Sequence, residues 1–422
     1  MFGRTRFTWG MASVLAVTFM AASATADEHA AVIGDYTLLD VPLASAEKSI
    51  KNDRKILLGS IGSDLWHDPG DSRHRFWMMT DRGPNGRVNV AGEKRRTFPA
   101  PEFTPMIVQV EVRDKEIRIL RKLPLVDSCG VPVTGISNTE GRDEEPFAHD
   151  GLRRLPYNPS GLDTEGLVRT ASGDFWLADE YGPSLVRCDA NGKVLRRFVP
   201  AGLKLEGAGY PVADCLPGIL ARRKKNRGFE GLTLGPDGKT LYAIVQSPLQ
   251  NPDKRTGAAS RNLRLLAFDI AGQKPIAEYV YRLDPSVKTM VSGLAMLSDT
   301  TMLVLERTGS KAWLYKIDLA KATNILGGKW DGPATSPSLE ATNDVATAGI
   351  AALPKTLAVD LSQVPGLPEK IEGIAVLDAR TIAIANDNDF DIGDFDREGN
   401  NHGAGIKGRL CILRLASPLF ER

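Results

Sequence analysis

Acidic side chains recur along this chain at a nearly constant separation, each time close to a glycine. Glu165 precedes Glu180 by 15 residues, Glu230 precedes Gln246 by 16, Ser292 precedes Glu306 by 14 and Glu372 precedes Asp387 by 15. Ser60 and Asp81, 21 apart, form a looser fifth pair. If the fold gathers these positions, that many carboxylates repel one another unless protons or cations neutralise them. Ligands made only of oxygen select a hard cation, and Ca²⁺ accepts roughly six to eight oxygens in loose geometry. With 5 His in the chain and no pair at zinc-like spacing, a His-rich transition-metal site is not expected. Taken singly, each acid reads equally well as a strand cap or an ion-pair partner, as with Arg227 beside Glu230; recurrence is what groups them.

Two loops add to this set. Asp81-Arg82-Gly83-Pro84-Asn85-Gly86 joins an acid, a guanidinium and an amide in one turn. Asn386-Asp387-Asn388-Asp389-Phe390-Asp391 packs several oxygen ligands into six residues, without the glycine and terminal Glu of an EF-hand. Arg82, Arg227 and Arg307 fall within a few residues of the recurring acids, and guanidinium forks suit phosphate or carboxylate.

The elements that must position these residues are strands. Each repeat has the same grammar: an acid or Ser, a Gly, an alternating apolar run, a turn, and a second run ending in a polar residue. Thr164 to Glu180, Phe229 to Gln246, Val291 to Glu306 and Ile371 to Asp387 follow it, and Gly59 to Asp81 is a degenerate copy. Ser172-Gly173-Asp174 and Pro236-Asp237-Gly238 supply hairpin turns. Third strands follow in four of the copies, as at Leu263–Asp269 and Ala312–Asp318, and fourth strands at Val194–Phe198 and Ile276–Tyr281. Short strands repeating in this way predict an all-β fold, a β-propeller, with two packed β-sandwiches as the alternative. The repeats start near residues 59, 164, 229, 291 and 371. The wide first step leaves room for a hidden blade, so six blades are expected and five is the second count. A short helix is expected at 216–225 and long loops at 127–160 and 327–354. A propeller would bring the repeated acids to one axial opening.

The 422 residues carry 53 Lys and Arg against 52 Asp and Glu, and 41 Gly with 26 Pro make about one residue in six. This composition excludes a disordered chain, a collagen-like repeat and a polytopic membrane protein; the charge balance excludes whole-surface attraction to nucleic acid. Arg4 and Arg6, the apolar run from Met11 to Ala22 and Ala24-Thr25-Ala26 have the form of an export signal cut after Ala26. Residues 27–422 are then expected as one propeller domain, periplasmic or secreted, monomeric and without a membrane span. Cys129, Cys188, Cys215 and Cys411 lack Cys-x-x-Cys spacing; they allow up to two disulfides in three pairings, or free thiols.

Asp81-Arg82-Gly83-Pro84, Asp163-Thr164-Glu165-Gly166-Leu167, Asp179-Glu180-Tyr181-Gly182-Pro183, Asn226 to Leu232, Ile371-Glu372-Gly373-Ile374 and Asn386 to Phe390 together resemble the bacterial phytase-like proteins, described by an esterase-like activity of the phytase family. That group takes its name from calcium-dependent propeller phytases. The resemblance implies a propeller and a phosphoester hydrolase of unspecified substrate, working with Ca²⁺ and a metal-activated water at the axial opening. Glu165, Glu230, Glu372, Asp387, Asp81 and Asp389 would be the metal ligands and Glu180 or Glu306 the base, while Arg82, Arg227 and Asn85 would hold a small phosphoester. No Gly-x-Ser-x-Gly elbow is present to supply a covalent nucleophile. Hydrolysis of a carboxylic ester or lactone on the same rim, and a non-catalytic calcium-stabilised binding propeller, are the alternatives.

Overall fold

A computed structural model describes residues 1, 3, 30–285 and 288–421. Apart from residues 1 and 3, the export signal expected over 1–26 lies outside the described residues. Each repeat folds as the two inner strands of a blade. Thr164–Arg169 pairs antiparallel with Phe175–Asp179, and the turn between them relies on Gly173 at φ 91°. Ser184–Cys188 and Val194–Pro200 continue this sheet outward. Phe229–Leu234, Met290–Met296 and Ile371–Asp378 begin three more blades, and Asp64–Trp66 begins the first.

These five inner strands contact one another in ring order, with Ile371–Asp378 packing back against Asp64–Trp66. The recurrent glycine marks where each blade meets the next. A Cβ on Gly166 would lie 2.7 Å from that of Leu232, one on Gly231 2.9 Å from Leu294, and one on Gly373 2.9 Å from the Leu65 Cβ. The last blade is completed by Ala30–Leu38, which pairs antiparallel with Arg409–Leu415. Its end also pairs in parallel with Glu116–Pro124 of the first blade. This shuts the ring and covers its open edges.

The described residues thus form a propeller of five blades, the second of the two counts that the spacing allowed. The wide step contains an insertion instead of a sixth blade. Gly86–Val90, Glu93–Thr97 and Pro146–Phe147 make a small three-stranded sheet. Its first two strands are too polar and exposed to be sandwiched between neighbours. True blade strands such as Phe175–Asp179 and Thr381–Asn386 are buried on both faces. Between the second and third blades Trp176, Phe198 and Phe268 pack ring to ring at 5.0 to 5.8 Å. Each such buried side chain contributes about 1.5–3 kcal/mol.

The helix expected at 216–225 is a 3₁₀ turn, Gly218–Arg222, after a strand at Val212–Leu216; short α-helices occur instead at Leu43–Ala46 and Lys254–Ala259. All four cysteines are unpaired, with Cys188 and Cys411 buried inside blade strands. No helix among the described residues is long and apolar enough to cross a membrane.

Candidate active site

The acid of each repeat occupies an irregular point in its strand pair. In the second blade Gly166 opposes Ala178 and Thr164 opposes Asp179, which leaves Glu165 without an opposite residue. Glu230, Ser292 and Glu372 are skipped in the same way. A β-bulge re-aims its side chain, and four bulges at one height of the ring aim theirs at one place. Glu165, Glu230 and Glu372 line an axial cavity of about 1020 Å³ with Glu180, Asp387, Asp389, Asp81, Asn85, Arg82 and Arg227. Arg307 and Lys370 line it too.

Glu306 is absent from this lining, which corrects the expectation that it faces the opening. Its oxygens are taken by Lys355, Thr289 at 2.6 Å, the Tyr281 hydroxyl at 2.5 Å and the Asp284 amide at 3.3 Å. The reason is a slip of one residue. Met290 opposes Arg307, whereas Glu306 opposes Val291, so the side chains of Glu306 and Arg307 leave opposite faces of the strand. Arg307 holds the rim place in this blade, 15 residues after Ser292 and matching the spacing of Glu165 to Glu180.

Three carboxylates meet in the cavity wall. One oxygen from each of Asp81, Asp163 and Glu165 lies within 4.8 Å of the other two. Asp163 was not among the ligands expected from sequence; its signal is its position one residue before the first strand, behind Glu165. It also pairs with Arg82, 3.2 Å away, whose guanidinium donates to the Tyr181 hydroxyl at 3.3 Å. Arg82 is thus held in the wall. Asp81 accepts from the Gly83 amide at 2.8 Å and from Asn85, and Arg96 of the inserted sheet donates to Asn85 Oδ1 at 2.6 Å. Asn85 is therefore oriented from both sides.

Glu180 stands 4.0 Å from Arg227, and the other acids gather around two cations: Arg307, which the sequence placed near the recurring acids, and Lys370, which it did not mark. Arg307 hydrogen-bonds Glu372, approaches Glu230 to 4.0 Å and donates to the Ser292 hydroxyl at 2.6 Å. Lys370 bridges Asp387 and Asp389, and Ser60 donates to Asp387. The loop that follows runs through Asp389, Phe390 and Asp391 at φ 47°, 56° and 53°. A buried Phe in that region is strained, and packing against Phe103 at 5.1 Å between ring centres retains it.

The lining carries ten carboxylates (Asp81, Asp150, Glu165, Glu180, Glu230, Glu372, Asp387, Asp389, Asp394, Asp396) against seven cations (Arg82, Arg87, Arg96, Arg227, Arg307, Lys370, Arg397), and Asp163 lies behind it, paired with Arg82. Burial, then the charges of Asp387 and Asp163, holds Asp81 well above the usual carboxylate range. Burial, then Glu230 and Asp163, does the same to Glu165. Burial, then Glu180 and Glu372, raises Glu230. Glu180 is pushed up to about 7 by burial and Asp163, against Arg227 and Arg82. Burial lifts Glu372 to about 7 in spite of Lys370 and Arg307. Asp387 alone falls, to about 2: burial opposes this, but Lys370 outweighs it. Among the described residues, Glu180 Oε1, Glu230 Oε2, Glu372 Oε2 and Gln246 Oε1 are buried acceptors with no donor. The arrangement has spare negative charge and spare oxygen ligands, the chemistry of a cation site.

The sequence model of the phytase-like family, described as "Esterase-like activity of phytase", matches residues 57–390. An uncharacterized secreted protein of Arthroderma benhamiae is 28% identical over 303 residues, covering 59% of this chain and 59% of that protein. The chain thus spans about three fifths of the length of that relative. Among solved structures, a luciferin-regenerating enzyme is 11% identical at a TM-score of 0.36, over 86% of this chain and 95% of that one. The Cps50 (Swd1) β-propeller domain of Myceliophteria thermophila is 10% identical at a TM-score of 0.29, over 81% and 66%.

Proposed function

The chain belongs to the phytase-like family, and from that premise we propose that it is an exported hydrolase of phosphate esters that works in the axial cavity with bound Ca²⁺. The observation that carries this reading is the excess of acid in one cavity: ten lining carboxylates against seven cations, with several buried oxygens that have no donor among the described residues. The Asp81, Asp163 and Glu165 cluster fits a hard cation, because its oxygens already converge and none of the three brings a nitrogen or sulfur ligand. Those three residues would hold the ion. When bound, Ca²⁺ would supply Lewis-acid stabilisation of developing phosphoryl charge and a more acidic coordinated water.

The chain's own residues do the rest. Arg227 is half-buried at the cavity wall, 4.0 Å from Glu180, and turns a guanidinium toward the space a phosphoryl group would fill. Asn85, fixed by Arg96 on its oxygen and by Asp81 and the Gly83 carbonyl on its nitrogen, lines the same cavity. Glu180 carries the base role, because it lines the cavity with an oxygen that accepts no hydrogen bond. Arg307 and Lys370 hold the other acids in place and keep Glu230, Glu372 and Asp387 from competing for the ion. The polar lining with several guanidinium groups supports a phosphoester over a carboxylic ester or lactone. Export is supported by the Arg4 to Ala26 segment and by a relative described as secreted.

The test uses the full exported chain, stripped with EDTA and then given Ca²⁺, against p-nitrophenyl phosphate, bis-p-nitrophenyl phosphate, p-nitrophenyl acetate and a simple lactone. Turnover of a phosphoester that returns with Ca²⁺ is the expected result. Turnover of the acetate or lactone alone moves the reading to carboxylic esters, and no turnover of any of them leaves a binding propeller.

A further inference from the structure

Two pieces of chain that belong to no blade form one side of the axial cavity. The inserted sheet brings Val88, from Gly86–Val90, and His149, just after Pro146–Phe147. The hairpin between Thr381–Asn386 and Arg409–Leu415 brings Ile392 and Phe395. All four are half-buried, and among the described residues Met290 is the one apolar lining side chain that a blade strand supplies. The blades thus give the cavity a charged floor, and these two pieces give it a wall of rings and aliphatic carbon. The His149 and Phe395 rings stand edge to face, 6.2 Å between centres. Burial, then the Arg54 charge, pushes the His149 imidazole below its usual range, so its uncharged form predominates at pH 7.

The wall is built before any ligand arrives, which spares a ligand the cost of ordering it. Phe395 bridges to Asn401, and the Asp396 amide donates to the Asn400 carbonyl at 2.9 Å. Arg54 donates to the Gly399 carbonyl at 3.1 Å and to the Pro99 carbonyl at 3.0 Å, which ties the hairpin tip down. A Cβ on Gly399 would lie 2.8 Å from His149 Nε2, so the two pieces touch there. Positive charge is not in surplus on this wall. Arg87 and Arg96 are held by Glu144 at 2.9 and 2.7 Å, leaving Arg397 against Asp150, Asp394 and Asp396. A second anionic group would be repelled here, whereas a neutral ring would bury against carbon. The cavity, about 1020 Å³, is larger than an ion and a phosphoryl group fill, and it runs from Glu180 and Arg227 to this wall. We propose that Val88, His149, Ile392 and Phe395 form the subsite for the alcohol part of the substrate, and that this alcohol is uncharged and carries a flat, largely apolar ring. That the ring belongs to a phosphate ester rests on the hydrolase reading above; the ring subsite itself does not.

The test measures calorimetric binding of phenylphosphonate and ethylphosphonate, neither of which can be hydrolysed, to the full chain in excess Ca²⁺. Phenylphosphonate should bind about tenfold tighter. Added salt should weaken both ligands and leave their ratio unchanged, because the ring contact is not ionic. Phe395→Ala and His149→Ala should each cut the ratio to about threefold or less and leave ethylphosphonate at its wild-type affinity. His149→Phe, which replaces one ring by another, should keep it. Phe395 also packs on the core of the first blade, so His149→Ala carries the test if Phe395→Ala does not fold. Equal binding of the two phosphonates to the wild type, binding of neither, or an unchanged ratio in the alanine variants overturns the ring subsite. A wild-type chain that hydrolyses no ester but shows the ring-dependent ratio overturns the hydrolase reading and leaves the subsite standing.

Discussion

The Arg307 guanidinium hydrogen-bonds Glu372 and stands 4.0 Å from Glu230, so a cation from one blade neutralises acids from the two blades beside it. Removing it leaves two buried carboxylates facing each other. Arg307→Ala should therefore lose about 3–5 kcal/mol in EDTA, the usual result of deleting one partner of a buried pair. Adding Glu372→Gln to Arg307→Ala should restore part of that loss. Urea unfolding of the two variants checks it, and additive losses would show that the pair is uncoupled.

Glu165 belongs to the three-carboxylate cluster and, among the described residues, has no cationic partner of its own. Glu165→Gln removes repulsion but also a ligand. The metal-free variant should melt higher than the metal-free wild type, and Ca²⁺ should raise it little. For the wild type, Ca²⁺ at about 100 times its Kd should add about 2.7 kcal/mol. A full Ca²⁺ shift in Glu165→Gln would place the ion elsewhere.

Glu180 and Glu306 occupy similar places in the sequence, and the two variants should separate cleanly. Glu180→Gln should lower kcat by about 10²–10⁴ with no loss of stability, because it removes a buried charge that no donor satisfies. Glu306→Gln should cost about 3–5 kcal/mol, because Lys355 loses its counter-charge, and the folded protein should keep its kcat. Steady-state kinetics beside denaturant melts distinguish the two, and a Glu306→Gln enzyme that folds normally but is inactive contradicts the assignment.

The repeat grammar made most of this site readable, because its two fixed features have physical causes. The glycine permits contact between blades, and the residue before it is bulged toward the axis. Glu165, Glu230, Glu372, Asp387 and Asp81 follow from that pattern. Glu306 misled because Ser292 to Glu306 is 14 residues, and in a strand one residue is the difference between the axis and the blade interior. Asp163 and Lys370 each stand two residues before the bulged acid of their repeat, Glu165 and Glu372, but one is an acid and the other a cation, so no recurring charge marks the place. The choice between six blades and five turned on a related point: spacing measures how long an insertion is, but only its polar, exposed strands reveal that Gly86–Thr97 is no blade.

Far from the axis, Glu278 and Glu340 flank the buried Arg264 guanidinium at 3.3 and 3.2 Å, with Asp331 at 3.6 Å. Burial drives the Glu278 carboxyl up to about 8, against the pull of Arg264 and with help from the Asp331 charge. Its ordinary value is 4.5, so between that and about 8 the folded chain holds a proton that the unfolded chain has released. Binding more protons when folded means that stability falls as pH rises. The contribution is complete below the unfolded value and is lost as pH climbs through the folded one. The slope from this single group is at most about 1.4 kcal/mol per pH unit. Glu278→Gln keeps a neutral donor in place and removes the titration, so its stability should vary less between about pH 5 and about pH 8 than that of the wild type. Saturating Ca²⁺ during urea unfolding keeps the axial acids from contributing to the comparison. Parallel stability curves for the two proteins would mean that Glu278 is already ionised when folded, with Arg264 and not burial setting its charge.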